Sequence, residues 1–399
     1  MKKNWFKLFA LVCSVAFFAA CSDDENPTLP VSDINATYTS TDEANTLALT
    51  YGSTAMTGKS VAFNSADGKT ATLTLAGAPN ELLSTLLGTT VNNPGVIPGE
   101  ATTTLNVTLV PVGETGYTFN GTDETNGRAL EYSGSIEQGK LTLNVNATFT
   151  NDLIGTWSLV PVPTDAESTL YPIQTVWEST EKLSLMGGFI QMEMGDVLNL
   201  ALRMPILEGG LSANNALAAV LQSVSFGADG NIIASYSDSD DLTSPVWQNS
   251  PAGMVQYCMK DDKLYAYLDV DAIMALVSAA ETKADEGDTD LLGLILPVVL
   301  KHVGEITPML SEGIPLDYRV DAETGALSVF ISQDGLGAIL IKVANELLSD
   351  ETIVAALGEM MASDPNFGSM AGMLDLTQLP AILNGTTHME LGLNFNPAE

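Results

Sequence analysis

Leu130-Glu131-Tyr132-Ser133-Gly134-Ser135-Ile136 is followed, across a turn at Gln138-Gly139, by Lys140-Leu141-Thr142-Leu143. Apolar and polar residues alternate in both stretches, and the second stretch continues the pattern to Phe149. Because successive side chains of a strand point to opposite faces, the pattern predicts two strands with one buried and one wetted face. The glycine-containing turn between them predicts a β-hairpin.

The same alternation recurs through residues 34–152, which we interpret as an N-terminal β domain. Asp67-Gly68 predicts the turn of a second hairpin, and Glu81–Leu87, after Pro79, predicts a short helix. Further strands are predicted at Leu47–Tyr51, Val61–Phe63, Leu73–Leu75 and Leu105–Leu109.

A second domain is predicted over residues 153–399, where a new strand begins at Gly155-Thr156-Trp157. Three hairpins and a last strand follow at long intervals, over residues 223–237, 254–270, 316–332 and 387–395. About eight strands suit a closed barrel or a long curved sheet. The predicted fold class is mainly β with α insertions (α+β): two β-rich domains, each an antiparallel sheet or barrel, the second decorated with amphipathic helices.

Helical periodicity separates the strands of the second domain. One helix face is predicted from the spacing of Met194, Val197, Leu198 and Ala201. Ser212 is placed to cap a further helix, and similar apolar stripes lie at residues 273–280 and 336–360. Leu291–Leu300 is apolar all round, but it is too short to span a bilayer, so we expect it to be buried or to face an apolar ligand.

Methionine is concentrated in this helical part. Thirteen of the fifteen methionines lie beyond residue 180. Methionine is unbranched and adapts its shape, so it suits varied hydrophobic ligands as well as irregular cores. Two interpretations therefore stay open: the helices from Met192 to Leu357 form a packed core, or they border an apolar cavity.

The N-terminus predicts export. Lys2, Lys3 and Lys7 precede an apolar run from Leu8 to Ala20, the layout of a secretory signal peptide over residues 1–20. Phe18-Ala19-Ala20-Cys21 resembles the lipobox of bacterial lipoproteins, which implies cleavage before Cys21 and lipidation of Cys21. An ordinary secretory signal with a chance cysteine is the alternative.

Residues 21–33 form an acidic linker. Its segment Ser22-Asp23-Asp24-Glu25 resembles the export tag of Bacteroidota surface lipoproteins. That resemblance implies a lipid-anchored protein of the outer membrane, exposed at the cell surface, with a periplasm-facing body as the alternative.

Part of the first domain resembles a known family. The resemblance is carried by three segments, Tyr117–Gly121, Leu130–Ile136 and Lys140–Leu143. They look like parts of the calycin-like (lipocalin-type) β-domains of Bacteroidota lipoproteins, and most of these domains have no known function. The resemblance implies a barrel, whereas regular short strands also suit a plain β-sandwich.

Composition excludes several functions. The formal net charge is −34, which repels nucleic acid and anionic lipid headgroups. Outside the N-terminal region the one remaining cysteine is Cys258, which we expect to be a small buried residue. With two histidines, His302 and His388, a zinc site with several His or Cys ligands is nearly excluded.

No catalytic or cofactor motif is present. Gly-x-Ser-x-Gly, phosphate-binding glycine loops and His-Glu-x-x-His are all missing from the sequence, so we expect a non-catalytic protein without a cofactor. The acidic segments at 238–241 and 285–290 could hold Ca²⁺ through oxygen ligands, or could be solvated loops.

Three functional hypotheses follow from these patterns. The preferred one is a surface lipoprotein that binds a hydrophobic or amphipathic ligand. The second is a glycan- or protein-interaction module of a nutrient-uptake system, with exposed aromatics in one groove; the candidates are Trp177, Trp247, Tyr257 and Tyr265. The third is a hydrolase with a carboxylate pair about 5–10 Å apart.

Overall fold

The computed structural model describes residues 30–125, 127–164, 170–185, 188–205, 207, 210–239, 241–271, 289–363 and 375–398. Several predictions concern residues outside these ranges: the signal peptide, Cys21, the linker up to residue 29, the helical stripe at 273–280 and most of the acidic segment at 285–290.

The first sheet is a nearly closed barrel, and its ten strands lie between Ala36 and Phe149. They are β1 (Ala36–Thr39), β2 (Thr46–Tyr51), β3 (Thr54–Ala55), β4 (Lys59–Asn64), β5 (Thr70–Gly77), β6 (Thr102–Thr108), β7 (Val110–Val112), β8 (Gly116–Thr125), β9 (Arg128–Glu137) and β10 (Lys140–Phe149). Their order is β6-β5-β4-β1-β2-β10-β9-β8-β7, with β3 beside β2. The two ends of this order, β6 and β7, follow each other directly in the chain, so the sheet curls until its two edges lie close together without pairing.

The predicted hairpins of this domain are confirmed. β9 and β10 pair from Glu137–Lys140 outward, and Gly139 in the turn has a φ of 70°, a left-handed conformation that favours glycine. β4 and β5 likewise flank the Asp67-Gly68 turn. The alternating apolar residues point inward: Leu141, Leu143 and Val145 are fully buried.

One feature of this sheet departs from the antiparallel prediction. β2 runs parallel to β1 and β10, although its short third partner β3 is antiparallel to it. Parallel neighbours cannot be joined by a tight turn. Strands β3 to β9 accordingly lie between β2 and β10 in the chain. The Asn144 amide secures this long-range register by donating to Thr50 Oγ1 at 2.8 Å.

Two basic side chains are buried in this barrel. The Nε and Nη2 atoms of Arg128 donate to the two carboxylate oxygens of Glu100 at 2.5 and 3.1 Å, and its Nη1 donates to Asp123 Oδ2 at 2.9 Å. Lys59 Nζ donates to the carbonyl oxygens of Pro94 and Gly95 at 2.8 and 3.1 Å. Both cations thus meet the requirement that buried charge be hydrogen-bonded.

The second sheet is a half-barrel formed between Gly155 and Pro397. Its strands are β11 (Gly155–Leu159), β12 (Ile173–Ser179), β15 (Leu221–Phe226), β16 (Ile232–Tyr236), β17 (Gln248–Asn249), β18 (Val255–Lys260), β19 (Lys263–Leu268), β20 (Ile314–Val320), β21 (Leu327–Ser332) and β22 (Thr386–Pro397); β13 (Leu183–Leu185) and β14 (Ile190–Met192) form a separate hairpin. The order is β17-β16-β15-β11-β22-β21-β20-β19-β18, and β12 also pairs with β22. The three predicted hairpins and the last strand are confirmed.

Seven α-helices accompany the sheets within the described ranges. They are α1 (Glu81–Leu87), α2 (Met194–Arg203), α3 (Ala213–Val220), α4 (Thr289–Glu312), α5 (Leu336–Ser349), α6 (Glu351–Ser363) and α7 (Leu379–Asn384), with 3₁₀ turns at Val31–Asp33 and Leu376–Gln378. Ser212 caps α3 as predicted, since its side chain accepts from the Asn215 backbone N–H. In the part of the chain that the structure describes, no helix has the combined length and apolarity needed to cross a membrane.

Helices α2 and α3 shield the edge of β12. The Asn199 amide donates to the Thr175 carbonyl, and Asn214 Oδ1 accepts from the Ile173 backbone N–H at 3.1 Å. The close approach of α2 depends on Gly195, because a Cβ there would lie 3.0 Å from backbone atoms of Trp177. Two helical asparagines thus satisfy backbone groups that an edge strand would expose.

The two sheets meet at a seam that includes main-chain hydrogen bonding. The Phe149 N–H at the end of β10 donates to the Ala228 carbonyl in the β15–β16 turn at 2.7 Å. Tyr51 Oη donates to the Asp229 carbonyl at 2.6 Å, and the Asn80 amide donates to Asp271 Oδ1 at 2.9 Å. The end of the half-barrel therefore contacts one end of the first barrel directly.

Candidate functional site: an apolar cleft in the half-barrel

One face of the half-barrel carries a row of apolar side chains. Cross-strand partners lie directly opposite each other in an antiparallel pair, and here Val329 faces Leu393 while Ile331 faces Leu391. Leu264 of β19 likewise faces Leu316 of β20. The alternation of β22 that the sequence displays thus becomes a continuous apolar surface across four strands.

This surface borders an open cleft of about 280 Å³. Its twelve lining residues are Val224, Phe226, Ile232, Leu264, Leu316, Val329, Phe330, Ile331, Leu391, Gly392, Leu393 and Phe395. None of these twelve has a polar side chain. Most of the lining aliphatic residues are half-buried rather than buried, so this apolar wall is not completely covered by the protein.

The neighbouring core closes one part of the cleft. Phe226 packs edge-on against Tyr257, with ring centroids 5.1 Å apart. The Tyr257 hydroxyl donates to the Gly227 carbonyl at 3.1 Å, and Trp157 Nε1 donates to the Leu153 carbonyl at 2.8 Å. Each polar tip of these rings has a partner, and both rings belong to the same buried cluster as Phe226, which lines the cleft. Trp157 is itself buried.

The opposite face of β21 and β22 is polar and tightly paired. Arg319 donates from its two Nη atoms to both carboxylate oxygens of Glu390 at 3.1 Å each, and Gln174 Nε2 donates to Glu390 Oε2 at 2.8 Å. Burial acts to raise the pKa of Glu390, but the hydrogen bonds from Arg319 and Gln174 prevail and lower it. Glu390 thus stays ionised on the face of the sheet opposite Leu391 and Leu393.

Gly392 permits the close contact between these two strands. A Cβ at this position would lie 2.0 Å from the Val329 carbonyl oxygen and 2.5 Å from Phe330 Cα. Only a residue without a side chain fits there, and the Phe330 side chain occupies the space that is left.

The walls of the cleft differ from the prediction based on methionine. All twelve lining residues belong to strands, and none is a methionine. The helices between Met192 and Leu357 therefore do not supply the lining of this cleft, because the strands between them already present their apolar faces to it. Met389 is fully buried. Its Cε lies so near Gly337 of α5 that a Cβ added to this glycine would be 2.7 Å away. Met389 therefore packs the sheet against α5.

The four aromatic candidates of the interaction-module hypothesis differ in burial. Tyr257 is buried in the core described above, whereas Trp177, Trp247 and Tyr265 are half-buried. The Trp177 indole donates to Thr386 Oγ1 at 2.9 Å. None of the four rings lines the apolar cleft, and none lines the two polar grooves of the first barrel or the cavity between Thr54–Thr57 and Pro251–Met254.

Cys258 and the two histidines occupy ordinary structural positions. Cys258 is buried as predicted, and burial raises the pKa of its thiol. His302 lies between α4 and α5, where its ring nitrogens are each 3.1 Å from a carboxylate oxygen, of Glu305 and of Glu346. His388 lies on the Glu390 face of β22, with its Nε2 3.3 Å from Glu390 Oε1.

Carboxylates are sparse in the concave sites. The apolar cleft contains none, and a polar groove of about 590 Å³ along β5 and β6 also contains none. A second polar groove contains Glu131, and a cavity at the seam contains Asp269. None of these four sites holds the pair of carboxylates that the hydrolase hypothesis requires. Among the described residues, no group of three or more His, Cys, Asp or Glu side chains is arranged to hold a metal ion.

Comparison of the chain with protein-family models, with curated proteins and with solved structures finds no match. The barrel-like β fold is compatible with a calycin-like domain.

Proposed function

We propose that this protein is a lipid-anchored, calycin-like protein of the outer-membrane surface, whose half-barrel binds the apolar part of a hydrophobic or amphipathic molecule without catalysing a reaction. The observation that carries the proposal is the cleft of about 280 Å³ whose twelve lining residues include no polar side chain. Removing apolar surface from water drives such binding and requires no directional partner.

The size of the cleft sets the class of ligand. Small-molecule sites typically occupy ~300–1,000 Å³, and a dry cavity of ~150 Å³ already holds benzene. The cleft therefore suits an alkyl chain segment or a compact ring system, with any polar headgroup left outside. Because its lining offers no hydrogen bond, selectivity would come from shape, and several related hydrophobes would bind.

The membrane anchor is the part of the proposal that depends on the N-terminus. Cys21 would carry the acyl chains, and the acidic linker would hold the body away from the membrane. A body with far more carboxylates than basic groups gains little from anionic headgroups, so the acyl chains would supply the membrane affinity. Growth with an alkyne-tagged fatty acid should label the wild type and leave Cys21→Ser unlabelled; equal labelling of both would contradict the anchor.

The first experiment on the ligand is native mass spectrometry of residues 23–399, secreted by the producing cells rather than refolded. We expect a reproducible added mass that organic extraction removes and that is identified as a lipid or another apolar molecule. A clean mass of the protein alone would contradict a tightly bound ligand and would bring the glycan- or protein-interaction alternative forward.

A matched pair of variants tests whether the cleft is the site. Val224→Phe combined with Val329→Phe fills the cleft from two strands and should remove the added mass. Val112→Phe makes the same chemical change at a position that is 52% exposed in the first barrel, and it should leave the added mass in place. Retention of the ligand by the filled variant would place binding elsewhere.

A further inference from the structure

A polar groove of about 590 Å³ crosses the outer surface of β4, β5 and β6 in the first barrel. It is larger than the apolar cleft, and it has the opposite chemical character. Seven of its ten lining residues are asparagine, serine or threonine, and none is ionisable. The ten residues are Asn35, Asn64, Ser65, Ala66, Thr70, Ala71, Thr72, Asn106, Val107 and Thr108.

One end of the polar groove is held in shape by the turn between β4 and β5. Asn35 Nδ2 donates to the Ser65 carbonyl, and Asn35 Oδ1 accepts from the Ser65 N–H, each at 2.8 Å. Ser65 Oγ donates to the Thr70 carbonyl at 2.7 Å and accepts from the Gly68 N–H at 3.0 Å. The Asn35 side chain thus pairs with the backbone of the turn, so this end of the groove needs no ligand to form.

The floor of the groove is an array of polar side chains fixed by strand register. Asn64 lies opposite Thr72, and Thr72 lies opposite Asn106. Thr70 and Thr108 form the next row on the same face. Thr72 Oγ1 donates to Asn106 Oδ1 at 3.1 Å, which orients this amide so that its NH₂ group is the free donor. Within the part of the chain that the structure describes, neither Asn106 Nδ2 nor the Asn64 amide has a protein partner.

The electrostatics of the groove favour a neutral ligand. In the adjoining turn, Asp67 Oδ1 accepts from the backbone N–H groups of Lys69 and Thr70 at 2.9 Å each, so this carboxylate is directed to its own turn. The lining therefore offers no carboxylate to a cation. Anions are repelled by the formal net charge of −34.

The donors and acceptors of the groove match a molecule with many hydroxyl groups. An asparagine amide carries a donor and an acceptor side by side, and each threonine hydroxyl can donate and accept, so neighbouring hydroxyls of a ligand can bond to both. Ala66 and the threonine methyl groups offer small apolar contacts to the C–H groups of a sugar ring. Since a cavity of ~150 Å³ holds one six-membered ring, the polar groove has room for about two or three.

We propose that the polar groove binds a short neutral oligosaccharide through the Asn64–Thr72–Asn106 row. This site lies on the first barrel, is separate from the apolar cleft and does not depend on the function proposed for that cleft.

Binding of the secreted body, residues 23–399, to an array of immobilised oligosaccharides tests the proposal. The array carries neutral hexose oligomers together with uronic-acid and amino-sugar oligomers of the same length. We expect binding to a subset of the neutral oligomers, because the groove reads hydroxyl positions and holds no charge. No binding to any oligomer, or binding to the charged members alone, would overturn the proposal.

Three variants locate the binding, and isothermal titration with the best neutral oligomer of the array measures their affinities. Asn106→Leu keeps the approximate shape of the side chain and removes its hydrogen bonds, so it should weaken binding about tenfold. Asn146→Leu makes the same change at an exposed strand position in the second polar groove and should bind as the wild type does.

Thr72→Val is the second variant within the row. It removes the hydroxyl that orients the Asn106 amide and should also weaken binding, even if Asn106→Leu proves unstable. Unchanged binding by both Asn106→Leu and Thr72→Val, or equal losses in Asn106→Leu and Asn146→Leu, would show that the oligosaccharide does not occupy the polar groove.

Discussion

Filling the apolar cleft should stabilise the protein. Val329→Phe adds four carbon atoms to a side chain that lines a space of about 280 Å³ opposite Leu393. In a tightly packed interior, the same enlargement forces neighbouring side chains out of their rotamers and costs ~1–3 kcal/mol. The sign of the change in unfolding free energy therefore distinguishes a cleft from a packed core.

The expected gain follows from the number of carbon atoms that Val329→Phe adds. At ~0.8 kcal/mol per buried methylene, four added carbons would contribute at most about 3 kcal/mol. The cleft is partly open, so about half of that gain, roughly 1.5 kcal/mol, is expected. Ordering the larger side chain costs ~0.5–1 kcal/mol. The net expectation is a gain of about 0.5–1 kcal/mol.

Urea unfolding of protein free of bound ligand, followed by circular dichroism, measures this quantity. The midpoint should rise while the slope m stays constant, because the exposed surface on unfolding hardly changes. Val112→Phe is the matched control at an exposed position, and its stability should stay within ~0.5 kcal/mol of the wild type. Destabilisation of Val329→Phe by ~1 kcal/mol or more, with the control unchanged, would refute the reasoning that the cleft is empty space.

Three further predictions concern charged groups. Hydrogen bonds to Glu305 and Glu346 raise the pKa of His302 above 6.5. The stability that protonated His302 adds between α4 and α5 is therefore present below pH 6.5 and is lost as pH rises through the raised pKa. The difference in unfolding midpoint between wild type and His302→Gln should shrink from pH 6 to pH 8.5, and a constant difference would contradict this. Burial lowers the pKa of Lys59 from 10.5 to about 8, so between these pH values the unfolded chain holds a proton that the folded protein has released. The free energy of unfolding of the wild type should therefore rise across this range relative to Lys59→Met, by up to about 3 kcal/mol. Parallel pH profiles of the two proteins would contradict this prediction. Arg128→Met leaves the carboxylates of its buried network without their cation and should cost about 3 kcal/mol in urea unfolding, whereas a loss below ~1 kcal/mol would show that the network is solvated.

Much of the local structure could be predicted from the sequence, because local geometry controls it. The alternation from Leu141 to Phe149 can bury one face only if the segment is a strand. The Gln138-Gly139 and Asp67-Gly68 turns meet the requirement for left-handed backbone. Ser212 caps α3 through a contact within one helical turn. Each of these signals lies within a few residues of the structure that it specifies.

Other elements could not be predicted, because their cause lies far away in the chain. The parallel pairing of β2 with β10 joins segments about ninety residues apart, as the Asn144–Thr50 hydrogen bond shows. Strand β12 has little alternation of buried and exposed residues, since its pairing with β22 and the two asparagines that protect its edge come from elsewhere.

The candidate site shows the same division. The sequence by itself determined that Leu391, Leu393 and Phe395 share one face of the last strand, because side-chain direction in a strand has a period of two. It also determined that the wall would be apolar. Only the tertiary structure decided that the wall borders a cleft lined by strands rather than by the methionine-rich helices, and that Tyr257 lies in the core beneath it. Whether an apolar face is covered depends on the curvature of the sheet and on which distant elements reach it, and neither is recorded in the order of neighbouring residues.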